Sequence, residues 1–392
     1  MRIFDRILCI VLDGVGVGEA PDSASYGDAG SDSVGNTSRA VGGLRMPNLE
    51  RLGLGNLCDI SGVAPAADAG AHYGIMQPRA AGKDSTTGHW ELMGCVLGEP
   101  MPVYPGGFPD PVIDEFRRAS GRGVLGNKPA SGTEIIKELG DRHVETGDLI
   151  VYTSQDSVFQ IAAHEDIVPV EELYRYCVAA RRILVPPVWV GRVIARPFLG
   201  RPGGYYRTER RKDFSIEPPQ ETVLDRLSDA GLGVVSIGKI DDLFAGRGIK
   251  TAVHTTDNRD GMRRTLEWAS GRLAPGAEFI FTNLVDFDTM WGHRNDARAY
   301  ALGLEDFDSF LSEFMPALGD NDLLIVTSDH GNDPTTPGTD HSREQVPLLV
   351  WYPGLESGRG LGVRKTFADV GATVAENFGV PPGPGDSFLS EI

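Results

Sequence analysis

The sequence predicts a layered α/β fold with a mainly parallel sheet and a smaller α/β block inserted into it. Three observations predict this. Short β-rich runs are each followed by glycine or a carboxylate and then by a helical pattern. Those runs are apolar on both faces, as strands of a parallel sheet covered by helices are. Proline and glycine mark off the middle third, and potential metal ligands fall on both sides of it.

The strand-like runs are Ile7–Leu12, Gly233–Ile237, Glu278–Asn283, Leu323–Val326 and Pro347–Trp351. Helical patterns lie between or after them, at Thr222–Ala230, Gly261–Ser270, Ala299–Leu318 and Phe367–Phe378. Ligands of such folds sit beyond the carboxyl ends of the strands. Asp13, Asp286, Asp288, Asp329 and His330 fall at such ends, after three different strands. The middle block opens with Pro100, Pro102, Pro105 and Pro109 and closes with Pro202-Gly203-Gly204 and Pro218-Pro219. Inside it, Asp148–Thr153 and Gly191–Ala195 read as strands and Val170–Leu184 as a helix. The expected division is a core of residues 1–99 and 218–392 with an inserted domain of residues 100–217.

With 392 residues and 41% hydrophobic content, the chain has material for a large core and two domains. Its net charge of −18 comes with no basic run, which argues against nucleic acid and against an anionic membrane surface. An anionic substrate would need local compensation by metal ions or a few placed Arg and Lys residues. Cys9, Cys58, Cys95 and Cys177 are far apart with no CxxC, as expected of thiols in a reducing compartment. The N-terminal residues do not read as a signal peptide, and no apolar run reaches the ~18 residues of a membrane span. A cytoplasmic monomer is the expectation.

Three clusters carry chemistry. Asp329-His330, delivered by the apolar run Leu323–Val326, is joined by His341. Carboxylate and imidazole after a buried strand make a metal-site composition, though a solvated polar loop would look the same. Lys83–Trp90 sets three hydroxyls ahead of Glu91-Leu92-Met93-Gly94, which can start a helix. Ser85 or Thr86 there reads as an N-cap, a nucleophile at a helix N-terminus, or both. Asp286–His293 holds two carboxylates and a histidine, with Asp288 and His293 spaced as at a strand end turning back on itself. Asp13, after the first strand, is either a turn former or a further ligand. Together these are enough O and N donors for two ions, and ligands of this type without thiolates suit Mn²⁺ or Zn²⁺ better than Mg²⁺. Two such ions can activate a nucleophile and hold a leaving oxygen.

The segments Asp13–Asp22, Gly82–Glu91, Gly126–Glu134, Gly191–Pro197, Asn283–Asp288, Asp329–Asp333, Gly338–His341 and Thr366–Val374 resemble those of the prokaryotic phosphopentomutases of the alkaline phosphatase superfamily. The metal motifs are shared across that superfamily, whereas Gly126–Gly132 and Gly191–Pro197, both in the inserted block, are more specific to the family.

The resemblance implies an alkaline-phosphatase-like α/β/α core with two Mn²⁺ ions and a smaller α/β cap that excludes water. It implies that Asp13, Asp329 and His330 hold one ion and that Asp288, His293 and His341 hold the other. Asp286 resembles a neighbouring acidic position. Ser85 aligns with the phosphorylated residue, where this family usually has threonine. Ser154, Asp156 and Val158 align with positions facing the ribose. Arg192, Ile194, Arg207 and Lys239 align near the sugar and its distal phosphate. The implied reaction interconverts ribose or 2-deoxyribose 1-phosphate and the 5-phosphate. It runs through a phosphoserine and a 1,5-bisphosphate, with a sugar bisphosphate such as glucose 1,6-bisphosphate as activator. The alternatives are a phosphatase or mutase for another sugar phosphate or phosphoglycerate, and a non-catalytic metal-dependent binding protein. Binding alone would not need the Ser85 hydroxyl.

Overall fold

The computed structural model describes residues 2–154, 157–271 and 276–392. The chain forms two compact units, Met1–Pro100 with Pro218–Ile392, and Met101–Glu217. In chain order the strands are β1 Arg6–Leu12, β2 His72–Met76, β3 Val124–Pro129, β4 Leu149–Thr153, β5 Val158–His164, β6 Arg192–Leu199, β7 Tyr206–Arg207, β8 Lys212–Ser215, β9 Val234–Ile237, β10 Thr251–Val253, β11 Phe279–Leu284, β12 Asp322–Thr327, β13 Val346–Trp351 and β14 Gly360–Arg364.

The first unit is built on one sheet in the order β10-β9-β11-β1-β12-β13-β2-β14. From β10 to β12 every pairing is parallel. Strands β9, β11 and β12 are buried along their whole length, which explains why they read as continuous apolar runs. Helices Asn258–Ala269 and Ala297–Phe314 provide the crossovers that parallel strands need. Their starts are set by Asp257 and Asp296, whose side chains accept the Asp260 and Ala299 N–H groups. Tyr300, Leu304, Phe307, Leu311 and Phe314 line the inner face of the second of these helices. Each such side chain stabilises the fold by roughly 1.5–3 kcal/mol through removal from water.

The sheet is mainly parallel as expected, β14 and β2 included, and one strand runs against it. β13 lies antiparallel to both β12 and β2. The chain between β12 and β13 contains no helix, so it returns directly and cannot make a parallel crossover. β2 alternates buried and half-buried residues and has no apolar run, which is why it gave no signal.

The second unit has a mixed sheet in the order β3-β4-β5-β6-β7, with β8 paired to β6. The strand expected at Asp148–Thr153 forms as β4, and the expected helix forms at Val170–Ile183. One face packs Phe108, Phe116, Phe159 and Leu173, and the other packs Ile135, Ile150, Tyr152 and Phe198. All four cysteines are free thiols. Among the described residues, no helix is long and apolar enough to cross a membrane.

Candidate active site

β1 lies between β11 and β12, so the loops after these three strands open side by side at their carboxyl ends. Asp13 follows β1, Asp288 follows β11, and Asp329-His330 follows β12. Gly14 holds a positive φ of 81° and would meet Asn332 if it carried a Cβ, so the turn that presents Asp13 requires glycine. Ser328 Oγ accepts the Val15 N–H at 2.9 Å, and Asp329 Oδ1 accepts the Gly14 N–H at 3.1 Å, which ties the first and third loops together.

Ser85 is the first residue of helix Ser85–Leu92. It is not the cap; Asp84 is, accepting the Thr87 N–H at 3.1 Å. Glu91, read as part of a helix start, lies in the last turn. Gly88 lets this helix press onto the third loop, since a Cβ there would stand 2.1 Å from the Asp329 carbonyl oxygen. Ser85 Oγ is consequently 3.1 Å from Asp13 Oδ1 and 3.1 Å from His330 Nε2. Lys83 pairs with Asp28 at 3.1 Å and Asp340 at 3.4 Å, linking the start of this helix to the loop that carries His341.

Asp288 and His293 are joined by a helical turn, not by a strand doubling back: a π-turn spans Phe287–Trp291 and a 3₁₀ turn spans Gly292–Arg294. His293 Nε2 and His341 Nε2 approach Asp288 Oδ1 at 3.4 and 3.2 Å. His330 Nε2 lies 3.3 Å from both Asp13 Oδ1 and Asp329 Oδ2. Asp288, His293 and His341 thus converge as one donor group, and Asp13, Asp288 and His330 as another, with Asp329 against His330. The His330 and His341 rings are 4.3 Å apart, so the two groups adjoin.

The donor set fits divalent metal. His330 Nδ1 donates to the Gly331 carbonyl at 2.9 Å and His293 Nδ1 to the Thr339 carbonyl at 2.6 Å, so each Nε2 faces the carboxylates, where a metal ion would replace its proton. Asn332 donates to Asp288 Oδ1 at 2.7 Å. Asp329 Oδ2, Asn332 Oδ1 and Asn283 Oδ1 are buried acceptors with no hydrogen-bond donor, an arrangement that calls for cations. Asp329 Oδ2 does lie 3.0 Å from His89 Nδ1, but that proton is directed at the Ser85 carbonyl.

The field agrees. Burial opposes the charge on His330, yet Asp329 and Asp13 hold its pKa well above the usual imidazole range. Burial likewise opposes the charge on His293, and Asp288 carries it to about 9. Asp288 is held well below the carboxylate range, against burial, by His341 and His293. Asp13 is lowered, against burial and Asp288, by His330 and Lys239. The gathered carboxylates favour positive charge here, held by the imidazoles in this structure, and two divalent ions would supply it in their place.

Asp286 does not join this group. Its Oδ2 accepts the Asn258 N–H at 2.8 Å at the start of helix Asn258–Ala269. In the second unit, Ser154 follows β4, and Val158 on β5 pairs directly with Arg192 on β6. Ile194 lies two residues on from Arg192 and shares its face. Arg207 lies on β7, opposite Phe198 of β6. Arg192 pairs with Asp213 at 3.4 Å. Asp156 lies outside the described residues. Sequence reasoning missed Asn283, Asn332 and His89, all within or beside the quoted motifs. The one available signal was that His89 falls one helical turn after Ser85.

A mainly parallel sheet whose strand ends carry a carboxylate–imidazole centre beside a serine defines a metal-dependent hydrolase or phosphoryl-transfer enzyme. Residues 5–382 match the model of the metalloenzyme superfamily. The chain is 55% identical over 391 residues to the phosphopentomutase of Caldanaerobacter subterraneus subsp. tengcongensis, covering 100% of this chain and 98% of that one. It is 56% identical over 389 residues to that of Anaeromyxobacter sp., covering 99% of each. To that of Clostridium novyi it is 52% identical over 391 residues, covering 100% of each. The chain belongs to the phosphopentomutase family.

Proposed function

We propose that this enzyme interconverts the 1-phosphate and 5-phosphate of ribose or 2-deoxyribose, using Ser85 as a phosphate carrier. The observation that carries the reading is the placement of Ser85 Oγ, 3.1 Å from both Asp13 and His330 at a helix N-terminus, in a chain of this family. Ser85 Oγ passes its phosphoryl group to the free hydroxyl of a sugar monophosphate, giving the 1,5-bisphosphate. The bisphosphate turns, and Ser85 Oγ takes the other phosphoryl group back. A phosphate on Ser85 sits at the positive end of its helix, which favours the charge. When Ser85 is free, its hydroxyl donates to Asp13 Oδ1.

Asp13, Asp329 and His330 would hold one Mn²⁺ and Asp288, His293 and His341 the other. Bound there, the ions would lower the serine proton's pKa and offset charge on the transferring group. Ser154, Val158, Arg192, Ile194, Arg207 and Lys239 are proposed to recognise the sugar phosphate, with the guanidinium groups suited to a phosphate. A sugar bisphosphate such as glucose 1,6-bisphosphate would charge Ser85. Manganese-loaded enzyme given ribose 5-phosphate and this activator should yield ribose 1-phosphate. Release of inorganic phosphate alone would overturn the mutase reading.

A further inference from the structure

We propose that His89 is a positioning residue for this centre, fixing Asp13 through Asn283 and setting its Nδ1 edge against Asp329, and thereby setting how tightly the ion beside Asp13, Asp329 and His330 is held. The inference rests on the metal-centre reading above. His89 has no exposed surface and lies one turn after Ser85 on the same helix. Its Nδ1 is 2.9 Å from the Ser85 carbonyl oxygen. A carbonyl only accepts, so Nδ1 carries the proton of that bond, and Asp329 Oδ2 stands 3.0 Å from the same nitrogen without accepting it.

The other ring nitrogen fixes the rest. His89 Nε2 is 3.2 Å from Asn283 Nδ2, whose second proton goes to Asp13 Oδ2 at 2.9 Å. Turning the Asn283 amide over would set its oxygen against the Asp13 carboxylate. The amide orientation is therefore fixed, and Nε2 accepts. Asp13, Asn283, His89 and the Ser85 carbonyl form one hydrogen-bonded chain, drawn from the ends of β1 and β11 and from the nucleophile's helix, with Asp329 beyond β12 beside it. The close backbone approach at Gly88 brings His89 within reach of Asp329. Phe281, with its ring centroid 5.8 Å away, backs the imidazole.

A buried histidine satisfied by its neighbours is also an ordinary core residue, and the two roles separate by substitution. Packing is met by a leucine, whereas positioning needs a donor on the δ atom, which asparagine retains. Partners of this kind change metal affinity by 10–100-fold. Mn²⁺ titration of metal-free protein by calorimetry, with no sugar phosphate present, reads this directly and is independent of the mutase reading. His89→Leu should weaken one of two binding steps by about 10–100-fold while the metal-free thermal midpoint stays close to wild type. His89→Asn should recover most of the lost affinity. Asn283→Leu, which leaves the helix untouched, should weaken the same step. Unchanged affinity in His89→Leu, or His89→Asn as weak as His89→Leu, would overturn the proposal. If His89→Leu does not fold, wild-type affinity in Asn283→Leu would overturn it equally.

Discussion

Ser85 Oγ and His330 Nε2 face each other across 3.1 Å, one at the start of a helix and the other just beyond a strand. The Ser85 hydroxyl donates to Asp13 Oδ1, and the His330 Nε2 edge faces the same oxygen. Ser85→Ala should abolish phosphate labelling by a bisphosphate donor and lower mutase turnover by at least about a thousandfold. Peptide mapping of labelled wild type checks the assignment, and label on Thr86 or Thr87 would refute it.

His341 approaches Asp288 Oδ1 at 3.2 Å, beside His293. His341→Ala should lower bound metal from about two ions to about one per chain, as removal of a ligand from a three-residue donor group does. Elemental analysis after dialysis measures this. Unchanged stoichiometry would remove His341 from the ligand set.

Gly88→Ala places a methyl group 2.1 Å from a backbone oxygen that cannot move without moving Asp329. The variant should lose about 1–3 kcal/mol in urea unfolding. It should also accept phosphate on Ser85 more slowly than wild type. Wild-type stability would mean that the helix has room to shift.

Glu344 is buried under the third loop, where it accepts the Ser33 N–H at 2.8 Å and the Ser342 hydroxyl at 2.6 Å. Burial carries its carboxyl up to about 7, above the ordinary 4.5. A group with a raised folded pKa contributes stability that is complete below the unfolded value and is lost as pH rises through the folded one. Between pH 4.5 and 7 wild type should therefore lose roughly 3 kcal/mol from this group. Glu344→Gln does not titrate, so the stability gap between wild type and variant should move in the variant's favour as pH rises from 5 to 8. Thermal unfolding at both pH values checks the sign, and a pH-independent gap would contradict it.

The sequence showed clearly what depends on local pattern. β1, β9, β11 and β12 are buried on both faces, so their apolar runs were plain, and the motif residues after them were found because they follow such runs. β13 has the same apolar character, but its direction depends on the loop before it, which no periodicity records. Ser85 was placed at the right helix end but one position off, because Asp84 competes for the capping role with a stronger acceptor. Asn283 and Asn332 act through side chains brought close only by the finished sheet, so their local sequence is silent about them, and His89 is marked only by its spacing of one turn from Ser85.

β1 pairs with β11 on one side and β12 on the other, and with no strand made earlier in synthesis. Apart from Ser85, the side-chain partners of its Asp13, Asn283 and His330, emerge only in the last third of the chain. At about 5–20 residues per second, a ribosome leaves this strand waiting for roughly 15–50 s. Strands β3 to β8 are all completed before β9 begins. An apolar strand held open that long is exposed to aggregation during synthesis, and the proposed metal donors, the last of them His341, would come together only at the close of folding.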